Sequence, residues 1–251
     1  VRSEEAAARL RDAGVEPIRM EVTDPESISR AAEEVERILA GTPLRAVVNN
    51  AGVLAAGPIE LANLQEARAV FEVNFFGALA ATQAFLPQLR ASRGRVINMS
   101  SLSGRFAFPF VGIYAATKHA LEAASEALRR ELVQTGVDVI LIEPGSIQTP
   151  IWDNLDNLDL SRFQDTDYER LMPVVRKMAV RGGRNGLPVD RVSSAVYRAV
   201  SSRRPPARIP VVASRPRWVL QRMLPARMWD RLIGRLLARI DSGDEVKSPF
   251  S

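Results

Sequence analysis

Arg95-Val96-Ile97-Asn98-Met99-Ser100, followed by the helical pattern of residues 111–134 and then by Val137-Asp138-Val139-Ile140-Leu141-Ile142, is the stretch whose reading decides the fold. The two flanking runs are short and β-branched, and each is closed by turn formers. Ser100-Ser101-Leu102-Ser103-Gly104 follows the first, and Glu143-Pro144-Gly145 follows the second. A strand, a long helix and another strand join most simply by a right-handed crossover between parallel neighbours. The alternation continues upstream. Ser3 is placed to cap a helix through Glu4 to Leu10, with Gly14 ending it and Val15 to Val22 reading as a strand. Asp24-Pro25 opens a second helix whose stripe is Ile28, Ala32, Val35 and Leu39. Leu44 to Val48 is a further strand, bounded by Gly41 and by Asn49-Asn50-Ala51-Gly52, and a long helix is expected from about Leu64 to Arg90.

Downstream of Pro150 the regularity stops. Residues 151–187 read as an irregular, partly helical lid. A helix near Val189 to Ser201, a strand near Arg208 to Ala213 and a basic amphipathic tail over 216–251 complete the chain. The expectation is an α/β fold: one doubly wound parallel sheet, covered on both faces, making a single domain of residues 1–251. In such sheets ligands bind beyond the carboxyl ends of the strands. Asn49 to Gly52, Ser100 to Ser103 and Pro144 to Thr149 all fall there.

Composition narrows the chemistry. The 251 residues include no cysteine and a single histidine, His119. A thiolate nucleophile, a disulfide framework, a Ser-His-Asp triad and a multi-histidine metal centre are therefore not expected. No run approaches eighteen uninterrupted apolar residues, so no membrane span is expected. The net charge of +5 is divided unevenly: residues 1–169 carry 16 basic and 24 acidic side chains, residues 170–251 carry 18 and 5. Aromatic residues are not interleaved with the basic ones, so nucleic-acid binding is not expected.

The sharpest chemical signal is Tyr114 with Lys118, one helical turn apart and on one face. An ammonium beside a phenol favours the phenolate, which would make tyrosine competent for proton transfer near neutral pH. Ser101, thirteen residues earlier at a strand end, could hydrogen-bond a substrate oxygen. Asn74 sits in an apolar helical stretch, where a buried amide needs partners. His119 points away around the helix and is read as structural.

Taken in order, Asn49-Asn50-Ala51-Gly52, Asn74, Ser101, Tyr114-Ala115-Ala116-Thr117-Lys118 and Pro144-Gly145-Ser146-Ile147-Gln148-Thr149 resemble the short-chain dehydrogenase/reductase family. The resemblance implies a Rossmann-like fold and an NAD(P)-dependent interconversion of alcohol and carbonyl. Tyr114 would be the general acid/base, and Lys118 would lower its pKa and hold the nicotinamide ribose. Ser101 would orient the substrate oxygen, and Asn74 would position a relay water. Asn50, Ala51 and Gly52 would approach the cofactor through backbone; backbone groups near Pro144, Gly145 and Ile147 would fix the carboxamide, with Thr149 close to the phosphates or amide. Glu21 and Val22 would lie at the adenine edge. Arg2 would meet an adenosine 2′-phosphate, which makes NADP the expected cofactor and NAD the alternative.

One departure is that the family's Gly-rich phosphate turn has no counterpart here, so the first strand-helix unit is expected to be absent from this chain. Phe106, Phe108, Phe110, Ile151, Trp152, Leu155, Leu158, Leu160 and Phe163 suggest a lipophilic substrate. The resemblance further implies a four-helix dimer interface through residues 64–90 and 111–134, so a homodimer or homotetramer is expected; the expected location is the cytoplasm. The tail would either pack on the domain or contact an anionic membrane. The competing functional reading is a non-catalytic binding or scaffold protein on the same fold.

Overall fold

Four strands pair in parallel in the sequential order β1 (Ala46–Asn49), β2 (Arg95–Met99), β3 (Asp138–Pro144) and β4 (Arg208–Val211) in the computed structural model, which describes Val1 and residues 3–241. Register places Val47 beside Val96 and Val96 beside Val139, and the alternation of side chains then separates two apolar faces. On one face Val96 and Val139 pack with Leu89 and Leu132. On the other, Ile97, Ile140, Ile142 and Ile209 pack with Ala195 and Ala199. Helices therefore cover both sides, as a parallel sheet requires.

The helices follow from local chemistry. In α1 (Glu4–Asp12) the Ser3 hydroxyl accepts from the Ala6 N–H at 3.2 Å, with two glutamates in the first turn where the helix dipole favours them. In α2 (Pro25–Leu39) Asp24 caps Glu26 at 2.9 Å and Pro25 takes the first helical position. The long helix expected from Leu64 is α3 (Leu64–Phe71) and α4 (Gly77–Ser92), joined without a break by a π-turn over Glu72–Phe76. An eighteen-residue window of this run reaches a mean hydropathy of 1.4, enough by composition to cross a membrane. Here it is a core helix: Ala81, Phe85 and Leu89 are buried, and Gln88 donates to the Ala32 carbonyl of α2. Next come α5 (Gly112–Glu131), a lid with α6 (Asp153–Asp156) and α7 (Leu171–Arg184), then α8 (Val189–Ser201), α9 (Arg215–Met223) and α10 (Ala226–Asp241).

The expected strand over Val15 to Val22 does not form. No described strand lies beside it, and a ladder needs a neighbour. Its backbone bonds across to residue 1 are two: Val1 N–H donates to the Ile18 carbonyl at 2.7 Å, and the Val1 carbonyl accepts from Met20 N–H at 3.2 Å.

The lid also differs from expectation. Phe110, Phe163 and Met172 are buried together, with Leu158, Leu160, Tyr168 and Leu237 against them, and Leu155 is buried as well. Trp152 lies over Gly183, where even a Cβ would clash with its indole, and its Nε1 donates to the Ile147 carbonyl at 2.7 Å. Much of the apolar set assigned to a substrate pocket thus forms the lid's own core. Of the tail, α10 lies on α7: Leu237 joins the lid core, Ile240 is buried and the Trp229 ring sits 6.1 Å from Phe106.

Candidate active site

The carboxyl ends of β1, β2 and β3 bring three loops together. After β1, Asn50, Ala51 and Gly52 form an exposed ledge of backbone and small side chains. The π-turn directs the Asn74 side chain onto it. A π-turn holds one residue more than the helical repeat, which rotates the following side chains. Asn74 Oδ1 accepts from Val53 N–H at 2.7 Å, while its Nδ2 donates to the Val53 carbonyl at 2.9 Å and to Thr117 Oγ1 at 3.1 Å. The Thr117 hydroxyl donates in turn to the Tyr114 carbonyl at 2.7 Å. Asn74, fully buried, thereby ties the ledge to the helix that carries Tyr114 and Lys118.

After β2, Ser101 caps a short 3-10 turn over Leu102–Gly104, accepting from Ser103 N–H at 3.1 Å. Gly104 is confined: a Cβ there would approach Ser100 Oγ at 2.7 Å, Glu122 Cγ at 3.0 Å and the Lys118 carbonyl at 3.2 Å. The turn and α5 are pressed together by that lack of a side chain. Phe110, just ahead of α5, takes a left-handed conformation (φ 65°), and its carbonyl accepts from Gly57 N–H at 2.7 Å. Tyr114 follows as the third residue of α5, where the unpaired N–H groups of the first turn favour negative charge.

Lys118 is buried, and burial draws its pKa down from 10.5 to about 8. Its Nζ donates to the Met99 carbonyl at 2.8 Å and lies 5.7 Å from the Tyr114 ring centre. Burial pushes the Tyr114 phenol above its ordinary value, while the Ser101 hydroxyl hydrogen-bonded toward it draws it back. The downward pull anticipated from Lys118 is not found here: desolvation dominates, and the lowering contribution comes from Ser101. His119, outside this group, bonds the Ala115 carbonyl through Nδ1 at 2.9 Å.

After β3, Ile147 forms a parallel bridge to Leu187, with Leu187 N–H donating to the Ser146 carbonyl and Gln148 N–H to the Leu187 carbonyl. In this pattern the N–H of Ile147 itself points out of the bridge. Gly145 N–H is committed to the Val211 carbonyl at 2.9 Å. Pro144 and Thr149 flank this loop. Glu21 and Val22 lie just before α2. Glu21 Oε1 accepts from the Thr23 N–H and hydroxyl, and the Val22 carbonyl lies where a Cβ on Gly77 would meet it at 2.8 Å. Arg2 lies outside the described residues.

Two networks behind the site had not been anticipated. Asn49 Nδ2 donates to Thr82 Oγ1 (2.8 Å) and Asn98 Oδ1 (2.7 Å), and Asn98 Nδ2 donates to Ser125 Oγ (2.8 Å), which links β1 and β2 to α4 and α5. The other is ionic. Arg208 Nη1 bonds both Glu143 Oε1, at 2.9 Å, and Glu122 Oε2, with Nη2 3.6 Å from Glu126. Glu143 and Glu122 are buried. Glu122 is one turn beyond Lys118 and Glu143 immediately precedes Pro144, so this cluster clamps two site-bearing elements to β4. A glutamate within the apolar run Val139 to Ile142 and Pro144 is the signal that could have revealed it.

With this geometry in place the relatives become informative. Residues 1–159 match the family described as short chain dehydrogenase. The chain is 35% identical over 226 residues to the NADPH-dependent 3-dehydrocapnine reductase of Ornithobacterium rhinotracheale, covering 88% of this chain and 80% of that protein. It is 35% identical over 227 residues to the uncharacterized oxidoreductase YbbO of Escherichia coli strain K12, covering 90% and 80%. A short-chain dehydrogenase of Burkholderia cenocepacia solved with NADP superposes with a TM-score of 0.68 at 25% identity, over 94% of this chain and 84% of that one. A Burkholderia phymatum relative solved with NAD gives 0.75 at 23% identity, over 99% and 86%, and speaks for the fold alone. This chain belongs to the short-chain dehydrogenase/reductase family, and its class is that of an oxidoreductase.

Proposed function

We propose that the protein interconverts an alcohol and a carbonyl on an apolar substrate, with NADP as cofactor and NAD as the alternative. The observation that carries this reading is the convergence of Tyr114, Ser101, Lys118 and Asn74 beside an open backbone ledge. The residues present fit the nicotinamide-ribose end of such a cofactor. Among the described residues Lys118 Nζ uses one hydrogen bond, to Met99, leaving two N–H groups for a ribose. The outward N–H of Ile147 suits a carboxamide oxygen, and Asn50 to Gly52 offer a surface that a planar ring can approach. A bound nicotinamide would supply or accept the hydride.

The chain's own groups handle the proton. With its pKa raised, Tyr114 is protonated below neutral and well above it, and so stands ready to donate to a carbonyl oxygen during reduction. Ser101 holds that oxygen beside the phenol. Lys118 replaces the proton electrostatically, its charge favouring the phenolate left behind. Asn74 keeps the ledge and α5 at a fixed separation. The apolar character of the substrate is supported by the small cleft lined by Ala55, Pro58, Leu61, Ile113 and Phe163, with Asn63, Glu66 and Arg162 also in its lining. Tyr114 does not line it, but Ile113 is its neighbour in the chain.

The test is NADPH oxidation by the whole protein with a panel of carbonyls. Long-chain and polycyclic carbonyls should give higher kcat/KM than sugars, and a preference for sugars would overturn the substrate class. Tyr114→Phe should lower kcat by about 10²–10⁴-fold, the span of general acid catalysis, with cofactor affinity nearly unchanged. Near-normal turnover would remove Tyr114 from the mechanism. Arg2→Asp should shift the ratio of specificity constants from NADP toward NAD, because a carboxylate repels a 2′-phosphate and accepts a 2′-hydroxyl.

A further inference from the structure

Docking of α10 on the lid consumes only one side of the tail. Trp229, Ile233, Leu236, Leu237 and Ile240 share a face turned to the protein, all buried or half-buried. Met228 and Leu232, one turn apart on the adjoining flank, remain exposed. In α9 Val219, Leu220 and Met223 are exposed as well, the last two 60% and 76%. The helices are joined through Leu224-Pro225, so five exposed apolar side chains fall within fifteen residues.

Charge decides what covers them. Residues 215–241 contain seven arginines and two aspartates, and Arg227, Arg231 and Arg235 are exposed on α10 next to Met228 and Leu232. A two-fold contact between copies would set this basic face against itself. Apolar side chains interspersed with guanidinium groups instead match the headgroup boundary of an anionic bilayer. There the apolar side chains enter the acyl region and the arginines meet phosphates. We propose that the exposed apolar and basic side chains of α9 and α10 bind an anionic lipid surface, lying in its plane while the inner flank of α10 stays on the lid. This is independent of the reaction assigned above, since it requires neither cofactor nor turnover.

The experiment is co-sedimentation of the full chain with phosphatidylcholine vesicles, with and without phosphatidylglycerol, at low and high salt. Binding to the anionic vesicles, weakened by salt, is expected. Arg227→Glu/Arg231→Glu/Arg235→Glu should weaken it by at least about a hundredfold, since each basic residue at an anionic surface contributes about fivefold. Leu220→Ser/Met223→Ser/Leu232→Ser should weaken it also. All six positions are exposed, so circular dichroism and a melting curve should match the wild type. Absence of binding by the folded protein would overturn the proposal, as would equal binding to neutral vesicles. Loss of self-association on the charge reversals, without any effect on vesicles, would assign the face to a second copy instead.

Discussion

Burial of a cation is costly, and Lys118 carries that cost in the middle of the candidate site. Its pKa falls to about 8 in the fold against 10.5 for a lysine in water. The unfolded chain therefore holds this proton more tightly than the folded one. Stability contributed by this position must rise with pH between about 8 and 10.5, and below 8 the folded state bears the whole penalty. The shift corresponds to about 3 kcal/mol at most. Lys118→Met removes the charge and retains much of the stem, but it also strips the Met99 carbonyl of its donor, a loss of about 1 kcal/mol. Without cofactor, the variant is expected to be about 1–2 kcal/mol more stable than wild type at pH 7. That difference should shrink as pH approaches 10, while turnover is lost. Urea unfolding at both pH values checks it. A variant less stable than wild type at pH 7 would show that the ammonium is better solvated than its burial indicates.

At the scale of elements, the same logic applies to the clamp between α5, β3 and β4. One guanidinium faces three carboxylates, two of them buried, so its removal leaves like charges together in a poorly solvated place. Breaking a buried ion pair from one side typically costs about 3–5 kcal/mol. Arg208→Met should lose stability on that scale by urea unfolding, and adding Glu122→Gln should recover part of it. Additivity of the two changes would mean that Glu122 and Arg208 are not coupled. This clamp also shows what a sequence withholds. Periodicity and turn formers mark Asp24-Pro25 as the start of α2 and place α8 at Val189–Ser201, because capping and amphipathicity are local properties. The Tyr114 and Lys118 pair was legible for the same reason, being one turn apart. Glu122, Glu143 and Arg208 lie on three elements, and only the fold brings them together. The bond from Asn74 to Val53 spans 21 residues and depends on a π-turn that leaves no mark in composition. The segment 15–22 has the composition of a strand, but a strand is a property of a pair.

For the whole molecule, the side of α3 and α4 turned away from the sheet raises the question of self-association. Leu64 is 66% and Phe76 48% exposed, and between them Ala67, Arg68, Phe71 and Glu72 line an open groove. On α5, Ala116, Ala123 and Ala127 recur at helical spacing on the exposed surface, small enough for a second helix to come close. Arg68 and Glu72 are one turn apart. About a two-fold axis, an antiparallel copy would bring Arg68 toward the second copy's Glu72, so the face is complementary to itself in charge as well as apolar. A stable interface needs about 1,200–2,000 Å² of buried surface in total, which two adjoining helices from each copy can supply. A dimer formed through these helices is therefore expected. Leu64→Asp/Phe76→Asp should reduce the mass seen by light scattering to that of one chain. Both side chains are exposed, so the melting temperature should fall only by what the lost association contributed, and should cease to depend on protein concentration. An unchanged mass would place the interface elsewhere. A wild-type chain that is already monomeric would leave this apolar groove without the partner assigned to it.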